Sequence, residues 1–125
     1  MGNRAGNFAV QNSDLLICVG SRLNIYQVGY NVKTWAREAY TVVVDIDSEE
    51  LKKPTIRVDL PVCADAGDFL DMMLNLNAVY KVSEDWCNQC NKWKIKYPVL
   101  LPKYYKMSYT TQRICVIHHA NSYWA

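Results

Sequence analysis

Three apolar segments of this chain end in small or acidic residues, and that ending constrains the fold more than any other feature. They are Leu15-Leu16-Ile17-Cys18-Val19-Gly20, Thr41-Val42-Val43-Val44-Asp45-Ile46-Asp47 and Val58-Asp59-Leu60-Pro61-Val62-Cys63-Ala64-Asp65. The first two run without polar alternation, as strands covered on both faces do. In an open parallel sheet the ligand crevice lies beyond the carboxyl ends of the strands. Gly20-Ser21-Arg22, Asp45-Ile46-Asp47 and Asp65-Ala66 are therefore expected along one edge, where the sequence concentrates its chemistry.

The segments between them read as helices and turns. Phe8-Ala9-Val10 has the look of the last turn of a helix whose beginning is missing, broken by Asn12-Ser13-Asp14 before a strand at about 15–20. Between Val28 and Ala39, Gly29 and then Val32, Trp35 and Ala36 at helical spacing predict a loop followed by a short helix. A second strand spans about 41–46. Ser48-Glu49-Glu50-Leu51 predicts a single capped turn, which Pro54 keeps from extending. A third strand spans about 57–64, and Pro61, having no N–H for a ladder, places it at an edge or a bulge. Asp65 caps a helix whose apolar stripe includes Phe69, Leu70, Met73 and Leu74, facing the sheet. A further helix is expected from Ser83 to Tyr97, with Trp86, Cys90, Trp93 and Tyr97 on one stripe and Pro98 ending it. Strands alternating with helices imply a parallel sheet. Arg113 to His119 offers a candidate fourth strand.

A chain of 125 residues that is 50% apolar fits one compact unit. Residues 1–80 carry seven basic and ten acidic groups, and residues 81–125 seven basic and two acidic. We read the basic excess as a solvated helix face bearing Lys92, Lys94 and Lys96, with no nucleic-acid partner. No apolar run approaches the roughly 20 residues that cross a bilayer, and no secretion signal opens the sequence. An odd set of cysteines, Cys18, Cys63, Cys87, Cys90 and Cys115, fits reduced thiols in the cytoplasm better than a disulfide framework.

Gly2-Asn3-Arg4-Ala5-Gly6-Asn7-Phe8-Ala9-Val10, Ser13 to Arg22 and Val44-Asp45-Ile46-Asp47-Ser48-Glu49-Glu50-Leu51 together resemble the central domain of thiamine diphosphate enzymes, acetolactate synthase-like members above all. The ordered pattern of Gly-x-Arg, Asp-Ile-Asp and Asp-Ala after successive strands covers about residues 2–75. The resemblance implies an α/β fold: a partial Rossmann-like parallel sheet with flanking helices, of the DHS-like NAD/FAD-binding type, carrying an irregular C-terminal extension. It divides the chain into a partial central domain at 1–80, a helix and linker toward a C-terminal domain at 81–106, and a divergent tail at 107–125. The chain then reads as a fragment, inactive alone, of a parent that uses thiamine diphosphate and magnesium on a 2-keto acid and assembles as a homo-oligomer.

Some relatives hold FAD in this domain at the same strand ends. Matched by motif, the cofactor-binding positions are Gly20, Ser21, Arg22, Asp45, Ile46, Asp65 and Ala66. Glycine admits close backbone approach, arginine forks onto phosphate oxygens, and a carboxylate accepts from ribose hydroxyls. After Gly-x-Arg the chain has Leu23-Asn24-Ile25-Tyr26-Gln27 where flavin-binding relatives place charged residues. The competing assignment pairs Arg22 with Asp45 or Asp47 and gives the carboxylates to helix caps. The family's Gly-Asp-Gly magnesium motif is not matched, since Gly67-Asp68 runs straight into Phe69.

Two cysteine constellations offer different chemistry. Trp86-Cys87-Asn88-Gln89-Cys90 has thioredoxin-like spacing, but Glu84 and Asp85 ahead of it oppose a lowered thiol pKa. Cys87-x-x-Cys90 with Cys115-x-x-His118 has the ligand types of a tetrahedral zinc site. That set defines the alternative reading, a small stand-alone binding protein with a basic, zinc-holding C-terminal segment.

Overall fold

The computed structural model describes residues 3–76, 81–99 and 101. Three strands, β1 (Leu15–Val19), β2 (Tyr40–Asp45) and β3 (Leu60–Cys63), form one sheet in the order β1-β2-β3. Both pairings are parallel, with Val19 in register with Val44 and Asp45 in register with Cys63. The helices are α1 (Arg4–Gln11), α2 (Ile25–Val28), α3 (Ser48–Leu51), α4 (Ala66–Asn75) and α5 (Glu84–Lys96), with a 3₁₀ turn at Val32–Thr34. The parallel α/β architecture expected from the strand endings is the one observed. Pro61 lies on β3, at an edge of the described sheet.

β2 is the centre because it is the strand most continuously apolar and β-branched, and Val44 is fully buried. Its two faces pack differently. On one, Val43 joins Cys18, Leu23 and Val28, with Leu16, Trp35, Ile56 and Val58 packed against them. On the other, Val42 and Val44 receive Phe69, with Val19, Val62 and Met73 around it. That second face is covered only in part: Leu15 and Ile17 on β1 stay 52% and 43% exposed. Unbroken apolarity predicts cover on both faces of β1. Among the described residues the second face receives it only at Val19, because α4 packs over β2 through Phe69. The stripe of α4 divides likewise, Phe69 buried while Leu70 and Leu74 remain exposed.

Local chemistry sets the remaining boundaries. α1 starts at Arg4, where the Asn3 side chain accepts from the Gly6 N–H at 2.6 Å, so the helix ending near Val10 is not missing its beginning, as its last turn suggested, but is capped at Asn3. The short helix expected near Val32–Ala36 is reduced to the 3₁₀ turn, and a true helical turn forms earlier. Asn24 and Gln27 make a reciprocal capping box around α2, which ends at Gly29 with φ +79°. Ladder pairing on β3 begins at Leu60, later than the expected position 57. Arg57 ahead of it donates to the Ala39 carbonyl at 2.8 Å. α5 packs on α1: Phe8 stacks with Trp93 at 5.8 Å and meets Tyr97 at 5.3 Å, while Trp86 meets Trp93 edge-on. Its stripe therefore serves a neighbouring helix. The candidate strand at 113–119 lies outside the described residues.

Candidate functional site

Parallel register brings the three strand tips to one rim. The Gly20 N–H donates to the Val44 carbonyl at 2.8 Å, and the Ala64 N–H to the Asp45 carbonyl at 3.2 Å. Gly20-Ser21-Arg22, Asp45-Ile46-Asp47 and Asp65-Ala66 thus follow one another across the sheet. Gly20 takes φ +57°, a left-handed conformation open to glycine at little cost. A Cβ there would stand 3.9 Å from the Ala66 Cβ, an ordinary contact, so conformation rather than space is what favours glycine. Arg22 and Leu23 follow at φ +54° and +41°, in the region where L-residues are strained. Burial of Leu23 beside Cys18, Val28 and Val43 holds that turn in place.

The side chains on this rim have different degrees of freedom. Ser21 Oγ is buried with no hydrogen-bond partner among the described residues. Arg22 is exposed and belongs to none of the ion pairs found there. Asp45, 6% exposed, accepts the Asp47 N–H at 3.0 Å through Oδ1. Asp47 Oδ1 accepts from Glu49 N–H at 2.9 Å and caps α3. Asp65 Oδ1 accepts from Gly67 N–H at 2.7 Å and from Asp68 N–H at 3.3 Å, capping α4. Ile46 is exposed, and its carbonyl accepts from the Cys63 thiol at 3.7 Å. Of the competing assignment, the capping roles of Asp47 and Asp65 hold, and the ion pair of Arg22 with Asp45 or Asp47 does not form.

Gly67-Asp68 sits in the first turn of α4, with both N–H groups turned to Asp65 and Phe69 buried behind them. These residues do not fit a magnesium-diphosphate site, which needs oxygen ligands gathered around one point. No group of three metal-ligating side chains occurs among the described residues. Cys87 and Cys90 lie on α5, exposed and half-buried, while Cys115 and His118 of the zinc reading lie outside the described residues. Lys92, Lys94 and Lys96 are exposed on the same helix, as a solvated face requires. Burial pushes the Cys18 thiol up from its ordinary value of 9.0.

Motif reasoning missed a group at the opposite ends of the strands. Asp59 Oδ2 accepts the Thr41 N–H at 2.8 Å, and Arg57 Nε lies 3.1 Å from Asp59 Oδ1. The partners stand 18 residues apart, and the one local signal was the alternation of Arg57 and Asp59 ahead of the strand.

Comparison with known proteins converges on one family. A family model described as "Thiamine pyrophosphate enzyme, central domain" matches residues 1–73. The chain is similar to the acetolactate synthase large subunit of Lactococcus lactis, 34% identical over 97 residues, covering 78% of this chain and 16% of that protein. The probable acetolactate synthase large subunit of Methanocaldococcus jannaschii is 34% identical over 95 residues, covering 74% of this chain and 16% of that protein. The mitochondrial acetolactate synthase catalytic subunit of Saccharomyces cerevisiae is 30% identical over 106 residues, covering 78% and 15%. The chain spans less than a fifth of the length of these curated relatives.

Proposed function

The chain belongs to the thiamine pyrophosphate enzyme central-domain family, and from that premise we propose that it is a fragment of an acetolactate synthase-like enzyme acting on 2-keto acids. It serves there as scaffold and as the cradle of a nucleotide cofactor. The observation that carries this reading is the convergence of three parallel strand tips on one rim inside the matched segment. The parent uses thiamine diphosphate and magnesium and assembles as a homo-oligomer. Both groups are held by residues other than these, since Gly67-Asp68 does not fit them.

The rim does fit a dinucleotide such as FAD. Such a group supplies electron-transfer capacity where it binds. Gly20 lets the backbone approach a diphosphate, and the exposed guanidinium of Arg22 forks onto its oxygens. Ser21 Oγ, buried without a partner, gains one from the ligand. Asp45 keeps Oδ2 for a ribose hydroxyl while Oδ1 holds the Asp47 N–H. Ile46 offers an apolar surface, and Asp65 and Ala66 close the rim at the start of α4. The free thiols Cys18, Cys63, Cys87 and Cys90 support a reducing compartment such as the cytoplasm.

Two assays test the reading. Pyruvate consumption by the purified chain, supplied with thiamine diphosphate and magnesium, is expected to be nil, whereas the full-length parent turns pyruvate over only when thiamine diphosphate is present. Turnover by the chain alone contradicts the assignment. Flavin absorbance of the purified parent tests the cradle: Arg22→Ala is expected to lower retained FAD, and equal retention in both proteins removes Arg22 from the site.

A further inference from the structure

The amino ends of the strands carry a second concavity, well away from the cofactor rim. We propose that it is a binding site for a small organic anion, a carboxylate or phosphate monoester with an apolar body. The cavity measures about 340 Å³, and Lys33, Trp35, Arg37, Thr41, Ile56 and Arg57 are among its lining residues. That volume suits a fragment-sized ligand. Thr41 and Asp45 stand near opposite ends of β2, so four residues of strand, about 13 Å, separate the two sites.

Charge in the lining itself has one sign. Among the described residues three cationic side chains line the cavity and no carboxylate does. Two carboxylates stand just outside: Glu38 pairs with Arg37 at 3.4 Å, and Asp59 pairs with Arg57 at 3.1 Å. Lys33 has no ion pair among the described residues, which leaves the lining with a net positive charge. Arg57 is also held in position. Its Nη2 donates to the Ala39 carbonyl at 2.8 Å and to Asp59 Oδ2 at 3.2 Å, and Nε donates to the same carboxylate. Nη1 has no hydrogen bond among the described residues, so a fixed guanidinium presents a free pair of donors.

The rest of the lining supplies the apolar body's contacts. Trp35 and Ile56 are half-buried and pack on the cluster around Val43, so both walls are anchored to the core. Ala36 between Trp35 and Arg37 is buried and held at φ +45°. The strained turn keeps the aromatic ring and the flanking cations on a defined segment. An anion with a flat or branched apolar portion uses both halves, and inorganic phosphate uses only the charge.

Chemical-shift mapping on the isotopically labelled full chain tests the proposal, with phenyl phosphate, benzoate and inorganic phosphate as probes. The expected result is saturable shifts at the Trp35 indole N–H and the Arg57 Nε–H with phenyl phosphate or benzoate at millimolar concentration, and weaker binding of inorganic phosphate. Tighter binding of phenyl phosphate assigns the site to phosphate monoesters, and tighter binding of benzoate to carboxylates. Lys33→Gln with Arg37→Gln, both exposed positions, should weaken binding about fivefold or more. Lys52→Gln, outside the lining, should leave it unchanged. Absence of saturable shifts at Trp35 and Arg57 with either organic probe overturns the proposal. So does unchanged affinity in the double variant, or shifts confined to Gly20–Arg22.

Discussion

At the carboxyl ends of the strands, Asp45, Asp47 and Asp65 each accept a backbone N–H two or three residues ahead, whereas at the amino ends Asp59 reaches 18 residues back to Thr41. The first arrangement is local. It fixes turns and caps and leaves the exposed Arg22 without an ion pair and the buried Ser21 Oγ without a hydrogen bond among the described residues. The second is long-range and ties the start of β3 to the start of β2 through Arg57 and the Ala39 carbonyl. One end of the sheet is thus fastened, while the other keeps a strained turn with polar groups uncommitted among the described residues. Strain of that kind persists where surrounding packing over-determines it, here through Leu23 in the core.

The sharpest break of this contrast is at the fastened end. Asp59→Ala removes the acceptor of a half-buried backbone N–H and the partner of Arg57, and should cost about 2–3 kcal/mol in urea unfolding. Asp59→Asn, which keeps an oxygen for Thr41, should cost less. A loss under half a kilocalorie in the alanine variant would mean that the two strands are not joined through this carboxylate.

Next in size is the comparison of caps at the carboxyl-end rim. Asp65→Ala should destabilise by about 1 kcal/mol, since its Oδ1 serves two N–H groups of a ten-residue helix. Asp47 caps only the four-residue α3, so Asp47→Ala should cost less in the same unfolding series. Reversal of that order would show that α3, not α4, steadies the rim.

Arg22→Gly is expected to act in the opposite direction. Relief of φ +54° should raise stability by up to about 1 kcal/mol, while the same change weakens nucleotide retention by the parent. Loss of both stability and retention would show that Arg22 is a structural residue.

The smallest effect is the pH response of Cys18. Burial raises its folded-state pKa, so the thiol is protonated in both states below 9.0 and its stabilising contribution is full there. As pH rises past 9.0 the unfolded chain loses the proton first, and stability declines toward the folded-state value. Unfolding measured from neutral to alkaline pH should show a steeper decline in the unaltered chain than in Cys18→Ala. Equal slopes would remove Cys18 burial as the cause.

What the sequence made legible follows the same division between local and distant. Thr41 to Val44 announce a buried strand, and Asp65 three residues before Asp68 announces a cap, because each signal lies within one turn or one strand. The tips converge because parallel register follows from those strands. The capping box of Asn24 and Gln27 is equally local, but the helical spacing of Val32, Trp35 and Ala36 is the stronger periodic signal in that stretch. By contrast, nothing in Arg22, Leu23 or Ala36 marks a left-handed backbone, since their chemistry disfavours it and only packing enforces it. The stripe on α5 showed that an aromatic face existed, but not that Phe8 of α1 would meet it. Arg57 and Asp59 escaped because their partners sit across the sheet.

The most direct measurement is a cross-strand NOE and amide-exchange map of the labelled chain. The account predicts parallel-sheet contacts pairing Val19 with Val44 and Asp45 with Cys63, and protected N–H groups at Gly20 and Ala64 at one shared rim. Antiparallel contacts, or fast exchange at both Gly20 and Ala64, would contradict it.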